Sequence, residues 1–387
     1  MQYCLGCDSS RLFAACKHGD AEGLRELLQN GAEPSSEMRS SEHLEAPDKT
    51  PLLVSVMQGH ADCVKLLIDA GALLDAQCGP DLETALHVCC ARGKPDLAQQ
   101  LIAGGANLCK PDSIGRSPLF LSCLFDRPEC TVVMLDAIQA AGFDGNEEVA
   151  LIEQSMTGHN PGATPLYAAA CGGSLRCAKL LCEAGAKIDA RTENDASPML
   201  VSCQNGHMGV AMLLSSYGAP RDVICSDYPG VDACSADAPA SDAEELAEEG
   251  GHTRLLRWLI ESRRYSPLHH VQALSPERAR GLLRAGVSPL ARQHSARKSA
   301  ADLAAEHPSS AASATILRAA APWTPGTHAL WGPGARARAV ELCKLGYMLA
   351  RHVDDMPGCR TKASIQGALV DAWIGHVMPH AITWELH

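Results

Sequence analysis

The chain has 387 residues, enough for two or three compact domains or for one elongated array with an appended piece. Hydrophobic residues make up 46% but aromatics only 4%, so Ala, Leu, Val and Cys must fill the interior, side chains that suit closely packed helices. The formal charge of −12 is uneven: residues 1–262 hold 18 Lys/Arg against 37 Asp/Glu, whereas residues 263–352 hold 13 against 4. An acidic body repels phosphate backbones, which argues against a general nucleic-acid role.

The N-terminus has no basic stretch leading into an apolar one, and no run is apolar for long enough to span a bilayer. The expectation is a soluble intracellular protein, cytoplasmic or nuclear, with no membrane partner. Its 18 cysteines are read as small hydrophobes in the packing, not as a disulfide framework.

In chain order, residues 1–9 form a lead-in containing Cys4-Leu5-Gly6-Cys7. A lone CxxC falls short of the four converging ligands a zinc site needs. From Ser10 runs SRLFAACKHGDAEGLRELLQNGA, and from Thr50 TPLLVSVMQGHADCVKLLIDAGA. Related copies start at Thr84 (TALHVCCARGKPDLAQQLIAGGA) and at Thr164 (TPLYAAACGGSLRCAKLLCEAGA), with Ser117-Pro118 and Ser197-Pro198 opening two more. The spacing is regular: Thr84, Ser117 and Ser197 each follow the preceding start by a similar interval, and Gly19, Gly59, Gly93, Gly173 and Gly206 recur ahead of Gly31, Gly71, Gly105, Gly185 and Gly218.

A constant period predicts stacked helix–turn–helix units. Thr or Ser caps each first helix, and the following Pro fits the first helical position, where no backbone donor is lost. Glycine ends each helix because it takes the left-handed conformation that a tight turn requires. In ADCVKLLIDA, Val64, Leu67 and Ile68 share one face. One such pair buries too little apolar surface alone, and stacked neighbours supply the rest.

The TPLH-like openings, the Gly-His turns and the LL-x-x-GA endings resemble ankyrin repeats. The resemblance covers residues 10–265, with degenerate terminal repeats over 266–321. It implies an all-α ankyrin-repeat solenoid, and it implies that His87 and His269 bridge the backbone of adjacent units. SDAEELAEEGGHTRLLRWLIE keeps a second helix but lacks the opening Thr-Pro, and SPLHHVQALSPERARGLLRAG has the opening but is a residue short.

Insertions fall near residues 35–48, 138–163 and 220–240, the last containing Cys225 and Cys234. Residues 322–387 form a small C-terminal helical extension that holds Trp323, Trp331, Trp373 and Trp384. Two readings stand for it: a cap on the end of the array, or a docking module like the SOCS box that follows such arrays in ubiquitin-ligase adaptors. A SOCS box opens with Leu-x-x-x-Cys, whereas Cys343 is preceded at that distance by Ala339, and no LPLP follows.

No HExxH, GxxxxGK[ST], GxSxG or kinase-like HRD with DFG occurs, so the expectation is a non-catalytic, cofactor-free monomer that binds a protein partner. In ankyrin proteins the variable contact positions lie just before the Thr-Pro and just before the glycine that ends the first helix. Carried onto this chain, the loop positions are Asp81, Glu83, Ser113, Ile114, Arg116, Glu193 and Asn194. The helix positions are Met57, Gln58, Arg92, Leu124, Phe125, Gln204 and Asn205. Asp126 stands where glycine is expected, which leaves two orientations for Leu124 and Phe125: exposed in the groove, or turned into the core.

Overall fold

Each Thr/Ser-Pro step fixes where a helix begins, because proline holds the residue before it out of the helical conformation. In the computed structural model the hydroxyls of Thr50, Ser117, Thr164 and Ser197 accept the backbone N–H three residues on, at 3.2–3.3 Å. The structure describes residues 5–35, 49–142, 145–221, 242–287 and 299–306, apart from single positions within those ranges, and a few isolated positions beyond.

The helices are α1 (Leu5–His18), α2 (Ala21–Gln29), α3 (Pro51–Gln58), α4 (Ala61–Asp69), α5 (Ala85–Arg92), α6 (Pro95–Ala103), α7 (Pro118–Leu124), α8 (Pro128–Ala140), α9 (Gly145–Ile152), α10 (Pro165–Gly172), α11 (Leu175–Glu183), α12 (Pro198–Gln204), α13 (Met208–Ser216), α14 (Ala243–Glu249), α15 (Thr253–Glu261), a 3-10 turn (Pro267–His269), α16 (Pro276–Arg284) and α17 (Ala300–Glu306). No strand occurs among the described residues; Cys78 and Glu83 make an isolated antiparallel bridge. The fold is an all-α solenoid.

The described residues fall into two compact units, those within 1–214 and 219–256, and those within 215–218 and from 257 onward. In the first unit the first helices pack in the order α1, α3, α5, α7, α10, α12, α14, and the second helices in the order α2, α4, α6, α8, α11. Leu12, Leu52, Leu86 and Leu119 are buried in one layer, and Leu24, Leu67, Leu101 and Met134 in the other. Cys63, Cys89, Cys90, Cys177 and Cys203 are free and buried among them. Burial pushes the Cys89 and Cys203 thiols up to about 12, which keeps them protonated and unreactive.

Gly59 ends α3 at φ 88°, and the equivalent Asp126 adopts the same left-handed conformation at φ 53°. The fourth copy therefore keeps its register despite the substitution. The first helix begins at Leu5, so part of the expected lead-in belongs to it; Ser10 is followed by Arg11, and no proline forces a start there.

The insertion at 138–163 contains a helix of its own, α9, which the sequence reading left unassigned. It then returns to the array: Thr157 N–H and Gly158 N–H both donate to the Ile114 carbonyl, at 3.0 and 2.9 Å. Residues 36–48 and 222–241, with Cys225 and Cys234, lie outside the described residues, as do the side chains of Cys4 and Cys7 and nearly all of the C-terminal extension with its four tryptophans.

At α14 an aspartate replaces Thr-Pro. The Asp242 carboxylate accepts from Glu244 N–H and Glu245 N–H at 2.8 and 3.0 Å, while Glu245 reaches back to Asp242 N–H at 3.2 Å, a reciprocal cap. In the second unit the SPLH opening makes only one 3-10 turn, and Ser266 Oγ lies 2.7 Å from His269 Nδ1. His270 Nε2 lies 3.0 Å from Ser215 Oγ, with the Trp258 and Tyr265 rings beside it.

Candidate binding groove

The site is built by two hydrogen-bond ladders that set the spacing between repeats, one between backbone groups and one from side chains to backbone carbonyls. Along the projecting loops, Ser113 N–H donates to the Asp81 carbonyl at 2.8 Å and Glu193 N–H to the Pro161 carbonyl at 2.9 Å. The end of the insertion, through Ile114, fills the step between them. Each loop is thus pinned to the one before.

His87 ties the loops to the helices. Its Nδ1 accepts from Thr84 N–H at 3.2 Å and lies 2.8 Å from Thr84 Oγ1, while Nε2 lies 3.0 Å from the Arg116 carbonyl of the following loop. Burial lowers the imidazole's affinity for a proton, only partly opposed by the bond to the Arg116 carbonyl. The Arg116 loop is itself closed by a buried carboxylate: Asp112 accepts Ile114 N–H, Arg116 N–H and Arg116 Nε, the last at 2.6 Å.

The second ladder joins the C-terminal ends of the first helices. His60 Nε2 meets the Lys17 carbonyl, Arg92 Nη1 the Met57 carbonyl, Arg127 Nε the Ala91 carbonyl, His207 Nε2 the Cys171 carbonyl and His252 Nε2 the Gln204 carbonyl, at 2.8–3.2 Å. Donors suit these helix ends, whose last carbonyls lack intrahelical partners and carry partial negative charge. Sequence reasoning missed this ladder, although the donor directly follows a glycine in three of these five cases, His60, His207 and His252; Arg127 follows Asp126, which stands in the glycine position, and Arg92 stands just before its glycine.

Between loops and helices, at α3 and α5, lies a groove of about 210 Å³ lined by Lys49, Leu53, Met57, Cys78, Gly79, Pro80, Asp81, Glu83, Val88, Ala91 and Arg92. It brings together four of the expected contact residues: Met57, Asp81, Glu83 and Arg92. Lys49, Leu53, Cys78, Gly79, Pro80, Val88 and Ala91 complete it and were not expected. The Glu83 carboxyl is raised above its ordinary value by burial, then by the neighbouring Asp81 charge; Arg116 and Arg92 partly offset this.

The remaining expected residues are distributed along the array. Gln58, Ser113, Glu193 and Asn205 are exposed, and Arg116, Asn194 and Gln204 are half-buried. Asn205 Nδ2 is engaged with the Cys171 carbonyl at 3.0 Å. Ile114 is half-buried against Gly158 of the insertion. Leu124 is half-buried and Phe125, at the end of α7, is 48% exposed, so Phe125 is not part of the core. Among the described residues no three His, Cys, Asp or Glu side chains gather as metal ligands.

Stacked helix pairs joined by pinned loops define a repeat-array protein with a groove between its loops and first helices. A family model described as ankyrin repeats (3 copies) matches residues 12–112 and 137–224. Over these residues the chain carries ankyrin repeats, and such repeats imply protein–protein interaction.

It is 31% identical over 201 residues to Ankyrin repeat and SOCS box protein 16 of Homo sapiens, covering 45% of this chain and 44% of that protein. It is 28% identical over 211 residues to E3 ubiquitin-protein ligase XBAT32 of Arabidopsis thaliana, covering 50% and 40%. The chain thus spans less than half the length of both relatives. Among solved structures, the human ASB11 ankyrin repeat domain aligns with a TM-score of 0.49 at 21% identity, over 64% of this chain and 96% of that one.

Proposed function

We propose that this chain is a non-catalytic interaction protein that holds a protein partner along the side of the array formed by the first helices and projecting loops. One observation carries the reading: Phe125 is 48% exposed at the end of α7, in the helix-end row that also contains Met57 and Gln204. A rigid scaffold lowers the ordering cost of binding, and an exposed aromatic in such a row is the usual kind of anchor. Phe125→Ala is expected to weaken partner binding by roughly 1–3 kcal/mol while leaving the melting temperature nearly unchanged. Unchanged affinity measured by titration calorimetry would remove Phe125 from the interface.

A second reading is favoured by the similarity to a relative whose name includes a SOCS box: an adaptor whose residues 322–387 recruit a second protein. Deleting those residues separates the two. Loss of one partner from an otherwise folded chain supports the adaptor; loss of array stability supports a cap.

A further inference from the structure

The groove at α3 and α5 is a mixed surface. Its floor is aliphatic, from Leu53, Met57, Val88 and Ala91, and one wall carries Asp81 and Glu83. Neither carboxylate makes an ion pair or a side-chain hydrogen bond among the described residues. Of the two cations on the rim, Arg92 is already committed to the Met57 carbonyl at 3.1 Å. Its charge and that of Arg116 only partly offset the burial of Glu83 and the repulsion from Asp81.

The groove is also embedded in the acidic part of the chain, where Asp and Glu outnumber Lys and Arg 37 to 18 over residues 1–262. Such a field steers cationic segments inward and slows anionic ones. We propose that this groove takes an Arg or Lys side chain of the protein partner, with an adjacent aliphatic residue of the same segment laid on Met57 and Val88. The inference rests on the groove reading above and adds the chemistry of the occupant.

Three features agree with a cation. Glu83 is half-buried, so its charge is under-solvated in the free protein, and the nearby Asp81 charge adds repulsion. A cation placed between them relieves both effects at once, whereas an anion adds to them. The volume of about 210 Å³ leaves room for one long side chain with an apolar stem, and Lys and Arg carry such stems, which lie well along aliphatic floors.

The test uses the full chain and three sets of short synthetic peptides: Arg or Lys beside Leu or Val, the same peptides with Glu in place of the cation, and the same with Gln. Fluorescence anisotropy should show the basic set binding at least about tenfold more tightly than the other two. The double variant Asp81→Asn with Glu83→Gln, checked to melt like the parent, should abolish that preference.

Equal or tighter binding of the acidic or neutral set, an undiminished preference in the double variant, or no binding by any set would overturn the proposal. Met57→Asp separates this failure from failure of the groove itself. If neutral or acidic peptides bind and Met57→Asp abolishes their binding, the groove stands and only its charge preference falls. If binding is indifferent to Met57→Asp, both readings fail.

Discussion

At the scale of single residues, His87 shows most clearly how repeat chemistry becomes structure. Its ring joins Thr84 at the start of α5 to the Arg116 carbonyl of the next loop, so His87→Ala takes away the partner of Thr84 N–H and one of the two partners of that carbonyl, the other being Asp112 N–H at 3.0 Å. The expected loss is about 2–3 kcal/mol, read from urea unfolding. The sign of its pH dependence follows from burial. The folded-state pKa lies below the ordinary 6.5, so the unfolded chain takes up the proton first, and this contribution is lost as pH falls below that value. The parent should therefore lose more stability than the His87→Ala variant between about pH 7 and about pH 5. An equal loss would contradict this account of the ring.

Asp126 makes the opposite case, a residue at odds with its backbone. It sits at φ 53°, where equivalent positions hold glycine, and an L-residue is disfavoured there by its Cβ. Asp126→Gly should raise stability by about 0.5–1 kcal/mol. A loss would mean that the carboxylate supplies a contact worth more than the strain.

At the scale of elements, what was legible was local. Thr50-Pro51, Ser117-Pro118, Thr164-Pro165 and Ser197-Pro198 announce their helices because cap and proline are adjacent in sequence, and the glycine interval marks where each helix stops. The start of α14 was not legible in those terms, since Asp242 and Glu245 do the same work with a different pair of residues. Asp242→Ala should cost about 1 kcal/mol, measured by thermal unfolding; no change would mean that packing of Leu246 and Ala247 alone sets that helix. The ladder through Ile114 and Thr157 was invisible for another reason. It is made of backbone groups from distant parts of the chain, and no side-chain pattern encodes it.

The groove shows the same division. Met57, Asp81, Glu83 and Arg92 could be placed by register, because the period fixes which positions lie before each helix and before each glycine. Lys49, Leu53, Val88 and Ala91 could not, since whether a helix residue faces its own partner or the groove depends on how neighbouring helices pack. Leu124 and Phe125 were undecided in sequence for the same reason. The left-handed turn at Asp126, which keeps the fourth copy in register, decides it.

At the scale of the molecule, stacking explains why the chain repeats itself. In the first unit each first helix packs on the next, from α1 through α14, and each contributes one step of a surface that no single repeat could hold rigid. The loop ladder and the helix-end ladder fix the steps, and the excess of Asp and Glu gives the surface a sign. The central claim is that this surface, and not the opposite one, is where the protein works.

The most direct measurement compares the full chain with two variants in affinity capture from cell lysate, read by quantitative mass spectrometry. One variant is Met57→Asp with Phe125→Asp on the groove side. The other is Lys65→Glu on the exposed side of α4, and both are first shown to unfold like the parent. The account predicts that proteins held by the parent are lost from the groove variant and kept by the Lys65 variant. Equal retention by all three would contradict it.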